Sequence, residues 1–478
     1  MKMKRKRIVG LGFAAMRSKK RVLGNRFIKG AVMSISFVLM MFGAHADAHA
    51  AVHYVDNAAN GANNGSSWSN AWEGFGAINW GSISAGDTIY ISGGSSSKVY
   101  SETLEIGAAT GTSGSPIKIT KGTESGHNGE VIIDGGNSRS NGINSRTSGR
   151  NYFRVSNMTV RNHQAQEVRI ENATGTVIEN IRIPDSTCTG VRFRYNTGCT
   201  IRGIHYDTVN MGGSVETDGI FLQDSTNTTI EYNYIEVTNE NSSTHDDCFQ
   251  QGAGTSWAGG GTFRGNYCNQ NNRDTVNAQG IFWEDAKGTW NIYNNVVDGH
   301  DYVKNLINFK NARASAVLNI YNNTIKGGSS QAGSIVRVQA MDSITVRMKN
   351  NIGYSTSSNQ SIVNLSGTMT DDINYNIWYC PNNANGYDGS SWSGWQSRGY
   401  DSQGHNSNPL LGSECRVSDV NAPGHDGGTA IGLFSVDRDG VNRPQGLTWD
   451  IGAYECVSGG GVIAKPSPPL NLRVVGLQ

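Results

Sequence analysis

Three acids and several cations fall at matching places in neighbouring stretches of this chain. Asp218 lies just before Ile220-Phe221-Leu222-Gln223, and Asp246, at the same offset one stretch on, lies with Asp247 just before Cys248-Phe249-Gln250-Gln251. Carboxylates brought close together repel, so one of them must hold its proton or the set must take up a cation. Ca²⁺ is the expected ion for Asp218, Asp246 and Asp247, because it prefers hard oxygen ligands. A nearby Lys or Arg can remove the proton beside a sugar carboxylate while cations neutralise that carboxylate, which is β-elimination. Lys310 is the expected base, with Arg194 as its alternate. The same acids can instead divide into a general acid and a water-activating base for inverting hydrolysis. A third reading is a non-catalytic surface that holds glycan or a partner. For either enzyme, Asp218, Asp246, Asp247, Glu284 and Lys310 must converge beside one groove.

The elements that would bring them together are short and repeated. An apolar-x-Asn motif recurs every 23 to 33 residues or so, a period that marks a repeat architecture. Its copies include Val155-Ser156-Asn157, Ile178-Glu179-Asn180, Ile230-Glu231-Tyr232-Asn233, Ile292-Tyr293-Asn294-Asn295, Ile320-Tyr321-Asn322-Asn323 and Met348-Lys349-Asn350-Asn351. Ile373-Asn374-Tyr375-Asn376 reads as a last copy, and Ile201-Arg202-Gly203 as one with Gly in the Asn place. Each period holds β-branched runs separated by Gly, Asn, Ser and Thr, as one coil of a parallel β-solenoid does. The Asn residues are expected to stack as a structural ladder, with no catalytic part.

A second register lies upstream of the Asn motif. Val168-Arg169-Ile170-Glu171, Val191-Arg192-Phe193-Arg194, Ile220-Phe221-Leu222-Gln223, Cys248-Phe249-Gln250-Gln251, Ile281-Phe282-Trp283-Glu284, Ile307-Asn308-Phe309-Lys310 and Val336-Arg337-Val338-Gln339 align as successive strands. Side chains of a strand alternate faces, so two outward rows result. One is Arg169, Arg192, Phe221, Phe249, Phe282, Asn308 and Arg337. The other is Glu171, Arg194, Gln223, Gln251, Glu284, Lys310 and Gln339. Aromatic faces for sugar rings, amides for hydroxyls and cations for carboxylates suit an extended polysaccharide. Arg192, Phe221, Gln223, Phe249, Gln251, Phe282, Asn308 and Arg337 are the expected substrate contacts.

The chain of 478 residues carries a net charge of +1, which gives no support to nucleic-acid binding, and a monomer is expected. A basic stretch, Lys2 to Lys29, precedes an apolar run, Ala31 to Ala44, and small-x-small sites at Ala44-His45-Ala46 and Ala48-His49-Ala50. That order reads as a signal peptide over 1–50 and an exported, secreted, periplasmic or cell-surface product, with no membrane span in the mature chain. A cap segment is expected over 51–84, with Trp68, Trp72 and Trp80 as packing residues. Coils follow over 85–380, then a loop-rich closing segment over 381–456 and a flexible tail over 457–478. The seven cysteines allow Cys188 with Cys199, Cys248 with Cys268 and Cys415 with Cys456 as local staples, leaving Cys380.

The Asn-bearing coils resemble the right-handed parallel β-helix superfamily, the pectin-lyase-like fold. Tyr54-Val55-Asp56 and Asp450-Ile451-Gly452-Ala453-Tyr454-Glu455 resemble the ends of its secreted bacterial members. The resemblance implies an all-β solenoid and a polysaccharide substrate, since lyases of this fold use a Lys or Arg base with Ca²⁺. Asp218-Gly219-Ile220, Asp246-Asp247-Cys248 and Asn308-x-Lys310 resemble part of the polygalacturonase pattern. Gln279-Gly280 stands at its Gly-His-Gly position and Asn308 at the Arg of its Arg-x-Lys; His245 is the one nearby His that could substitute. The tail from Lys465 resembles the opening strand of a fibronectin type III module.

Overall fold

The computed structural model describes residues 50–208, 217–238, 246–252, 254, 259–270, 278–300, 303–329, 332–417 and 419–457. The expected leader and tail lie outside them, as does His245.

The chain winds as a right-handed parallel β-helix. One face is a ten-stranded sheet that climbs from Leu104–Glu105 through Asn141–Ser145, Gln166–Glu171, Thr189–Arg194, Ile220–Gln223, Phe249–Gly252, Gln279–Glu284, Asn305–Ala312 and Ala332–Ala340 to Asn359–Ser366. Every pairing in it is parallel, and the other strands form a 21-stranded sheet that is parallel in the same way. Stacking buries one column of side chains, Val168, Val191, Ile220, Phe249, Ile281, Ile307, Val336 and Val363, at 0–1 % exposure. This continuous core grows with each coil. Val52–Val55 already pairs with Thr88–Ile91, so the expected cap segment supplies the first strand. Trp72 is buried there, Trp80 packs on the core and Trp68 stacks on His127, all as packing residues.

The Asn doublets divide their work. The second member points inward. The amide of Asn233 donates to Oδ1 of Asn266 at 2.9 Å, and the pattern repeats through Asn295, Asn323, Asn351 and Asn376. It ends on Asp401, whose carboxylate also takes the indole N–H of Trp378 and Trp395. The first member takes a left-handed turn conformation, with φ of 55° at Asn294, 48° at Asn322 and 57° at Asn350. Gly203, at φ 60°, holds that same turn position in its coil, which accounts for the variant copy.

The closing segment runs back along the coils. Asn294 donates to the carbonyl of Val436, Asn322 to those of Asp450 and Gly452, and Asn350 to that of Thr429. Beneath it Arg443, wholly buried, is ion-paired with Glu455 at 2.6 Å. The Asp450-Ile451-Gly452-Ala453-Tyr454-Glu455 motif is thus a clasp. Residues 381–410 are less irregular than the sequence suggests: Trp392–Ser397 is a short helix capped by Ser391, with Trp395 buried.

One of the expected disulfides is present. Cys248–Cys268 joins the ten-stranded sheet to its neighbour, whereas Cys188, Cys199, Cys380, Cys415 and Cys456 are free and buried.

Candidate active site

The site lies on the outward face of the ten-stranded sheet, at its lower coils. Val168, Val191 and Ile220 pair in register, as do Arg169, Arg192 and Phe221, so these strands stack as expected. Counting back two places puts Gln166, Thr189 and Asp218 in one column. They line an open depression of about 350 Å³ with Gln164, Ala165, Arg192 and Phe221. Gln164, Gln166 and Thr189 were not singled out from sequence, although extending the strand alignment two residues upstream would have found them.

Arg192 crosses the depression. Its guanidinium lies 5.4 Å from the centre of the Phe221 ring and donates to Oε1 of Gln223 at 3.2 Å. Burial lowers its pKa, and the charges of Arg169 and Arg194 lower it further, against the pull of Glu171. Arg169 is itself engaged, with Nε and Nη2 both donating to Glu171. The Phe221 ring leans across Gly252 of the next coil, where a Cβ would come within 2.7 Å of it. Behind the wall Gln164–Gln166, His163 and Glu167 share a buried 2.5 Å hydrogen bond, and the Ser186 hydroxyl donates to Glu167 at 3.2 Å. This pair fixes the wall from inside.

One coil higher the expected alignment slips by one residue. Ile220 pairs with Phe249, Phe221 with Gln250 and Leu222 with Gln251. Phe249 therefore points inward, 1 % exposed, packed against Phe263, Trp283 and Trp290. Gln251 is inward too, donating to the carbonyl of Glu284 at 3.2 Å, and Gln250 takes the outward place. The sequence Cys248-Phe249 offers two adjacent apolar residues; the disulfide to Cys268 and the aromatic cluster together hold both inside. Phe282 and Asn308 keep their outward register but are only 5 % and 3 % exposed. The expected track of three outward Phe rings is not formed.

The same slip changes the acids. Asp218 shares its column with Asp247, not Asp246, and the column continues to Gln279 and Asn305. Each side chain caps the coil above: Asp218 Oδ1 accepts from the amide of Asp247 at 3.1 Å, Asp247 from that of Gln279 at 2.6 Å and Asn305 from that of Ser334 at 3.1 Å. Asp246 accepts from the amide of Thr217 at 2.7 Å. Asp246 and Asp247 are completely buried. The Gln279 amide that replaces the polygalacturonase His accepts from Asn305 and Asn308. Among the described residues, His425, Asp426 and Asp450 have donor atoms within 4.8 Å of one another, far along the chain in the closing segment.

Neither expected base is among the residues that line the depression. Lys310 is bound to Glu284 at 2.7 Å. Its strand is four steps above that of Arg192, about 19 Å at the usual strand spacing. Arg194 donates to the Tyr195 hydroxyl and stacks on that ring. Arg337 donates to Gln339 at 3.4 Å, one coil beyond Asn308.

No protein-family model and no curated protein matches the chain. Several solved structures align over most of it, among them the following two. Pectate lyase Pel9A is 17 % identical over 85 % of this chain and 96 % of its own, with a TM-score of 0.51. XylC in complex with xylose is 10 % identical over 85 % and 99 %, with a TM-score of 0.52. The parallel β-helix fold is shared. At these identities the likeness extends to the fold alone. No helix among the described residues is long and apolar enough to cross a membrane.

Proposed function

We propose that the chain is a polysaccharide lyase that cleaves beside a uronate by β-elimination, with Arg192 holding the sugar carboxylate and Asp218 receiving the proton. What carries this reading is that Arg192 and Asp218 line one open depression and, among the described residues, no second carboxylate lines it. Inverting hydrolysis needs two carboxyl groups on opposite sides of the bond, about 6.5–9.5 Å apart. Asp218 is 4 % exposed and lines the depression, whereas Asp247 at 0 % does not and Glu171 is held by Arg169, so among the described residues neither supplies the second one. Elimination needs a base and a fixed cation. The base takes the proton from the carbon beside the carboxylate. The electron pair forms the new C=C bond and expels the glycosidic oxygen, which takes a proton from water and leaves as the new hydroxyl end. Arg192 stabilises the charge that builds on the carboxylate in between. Gln166 and Thr189 are placed to bond sugar hydroxyls, and Phe221 to cover a ring face. The similarity in fold to pectate lyase Pel9A is compatible with this chemistry.

The residues fit Ca²⁺ poorly. Asp246 and Asp247 are sealed from the depression, and Asp218, Asp246 and Asp247 each cap a backbone amide. No step is therefore routed through a metal. A melting temperature that rises with Ca²⁺ and falls back with chelator would reverse this point.

The test is turnover on a panel of uronate polysaccharides, read by the ultraviolet absorbance of the unsaturated product. Arg192→Ala is expected to lose about 10²-fold or more, the cost of removing one preorganised charge-stabilising donor. Asp218→Asn should abolish turnover while Lys310→Ala leaves it unchanged. Reducing ends appearing without that absorbance would replace elimination by hydrolysis.

A further inference from the structure

A second depression lies on the other sheet, remote in sequence from Arg192. Strands His205–Asp207, Tyr234–Val237 and Tyr267–Gln270 stack in register and bring His205, Tyr234 and Tyr267 into one outward column. The Tyr rings are 5.5 Å apart and nearly parallel, and His205 lies 4.8 Å below Tyr234. The column stops at Tyr267 because the next coil places Val296 there. The closing segment seats Cys415, Ala453 and Tyr454 on Val296. The end of the ring column and the edge of that segment make a step. In it is a depression of about 190 Å³ lined by Tyr234, Tyr267, Glu414 and Arg438.

Two observations mark the step as more than a seam. Glu414 and Cys415 are consecutive non-glycine residues with φ of 54° and 56°. Such backbone is uncommon and strained, and it concentrates at functional sites. Arg438 lies 5.4 Å from the Tyr267 ring and donates to the Tyr454 hydroxyl at 3.3 Å, yet its Nε is buried with no partner among the described residues.

We infer that this step is a second saccharide site, built for a neutral sugar unit. The lining carries two phenols and two charges that are each already paired, Glu414 with Arg416 at 3.4 Å and Arg438 with Asp439 at 3.6 Å, a balanced set whose remaining donors and acceptors match vicinal hydroxyls. An apolar ligand would leave all four polar groups desolvated. An anion would meet Glu414, with Glu236 beside it bound to the Tyr234 hydroxyl at 2.8 Å. A cation would meet Arg438. Burial raises the pKa of both phenols, so they remain hydroxyls across the working range. A neutral-sugar contact here would hold the protein on a polymer while the uronate depression works, raising the local concentration of cleavable chain.

The experiment is retention of the full chain on insoluble neutral polysaccharides (cellulose, xylan, mannan and galactan), confirmed with soluble oligosaccharides of each by calorimetry. Retention on at least one polymer is expected. Arg438→Ala and Tyr267→Phe should each weaken it about tenfold, one bidentate or hydroxyl contact being worth about 1–1.5 kcal/mol. Tyr267→Phe keeps the ring and serves if Arg438→Ala disturbs folding. Arg192→Ala should leave retention unchanged, which separates this site from the lyase reading. Retention of the same strength in both step variants, or on none of the four polymers, overturns the inference.

Discussion

Arg443→Met is expected to release the closing segment from the coils. Arg443 and Glu455 are both at 0 % side-chain exposure, 2.6 Å apart. The guanidinium also donates to the carbonyls of Asp450 and Gly452 and to Asn294. Removing one partner of a buried pair leaves the other charge uncompensated, at a cost of about 3–5 kcal/mol. That corresponds to about a 10²- to 10⁴-fold rise in the opening equilibrium of the segment. Coils of a solenoid unfold semi-independently, so the effect should be local. Hydrogen exchange and limited proteolysis of residues 419–456 are the direct assays, with the amides of 166–194 as the internal control. The pH dependence follows from the neighbouring acids. Burial raises the pKa of Asp437, Asp450 and Glu455. An acid raised in the folded state binds its proton more tightly there than when unfolded. Its stabilising contribution is full below the unfolded value of about 4 and is lost as pH climbs through the folded value. Without the Arg443 charge those folded values rise further, so the variant should lose more protection at mildly alkaline than at mildly acidic pH. Adding Glu455→Gln should recover part of the loss. Unchanged exchange in 419–456, or a loss independent of pH, would refute the reasoning.

Other outcomes follow from the register. Phe249→Ala should destabilise the protein by about 3–5 kcal/mol as a buried aromatic deletion, whereas Phe221→Ala should leave denaturant curves nearly unchanged and raise KM. The reverse result would restore Phe249 to the outward face. Thiol labelling under denaturing, non-reducing conditions should modify Cys188, Cys199, Cys380, Cys415 and Cys456 and spare Cys248 and Cys268. Reducing that bridge, which closes a 20-residue loop, should cost about 3 kcal/mol, read from denaturant curves with and without reductant. Asn323→Leu should lower the melting temperature well beyond a surface change, because Asn295 would lose its acceptor and the carbonyl of Ile292 its donor.

The winding was legible because two independent periodicities agreed: Asn in the turns and alternation in the strands. The strands bearing Arg169, Arg192 and Phe221 were placed correctly for that reason, as were those of Phe282, Asn308 and Arg337. The coil at Phe249 was misplaced because Cys248 and Phe249 both satisfy an inward position, and alternation cannot choose between adjacent apolar residues. What decides is the interior, where Phe249 meets Phe263 and Trp283 and Cys248 bridges to Cys268. That single residue of slip moved Gln251 inside and exchanged Asp246 for Asp247 in the acid column. Lys310 lies away from the depression for a different reason. Sequence places residues on a row, but the distance along the row separates Lys310 from Arg192, and Glu284 holds it there. The doublets Asn294-Asn295 and Asn322-Asn323 looked like one repeated signal; they are two, because neighbouring residues point to opposite sides of the wall.

The left-handed Asn of each doublet makes the finished protein distinguishable from an unfinished one. Asn294, Asn322 and Asn350 sit on three successive coils, and a single later stretch of chain bonds to all three. That stretch can latch only once those coils have been wound and stacked at the correct pitch. A product halted early, or wound with one coil out of step, would present mismatched sockets and leave the latch hanging in reach of proteases. Closure of the latch is thus a built-in inspection of the winding that precedes it.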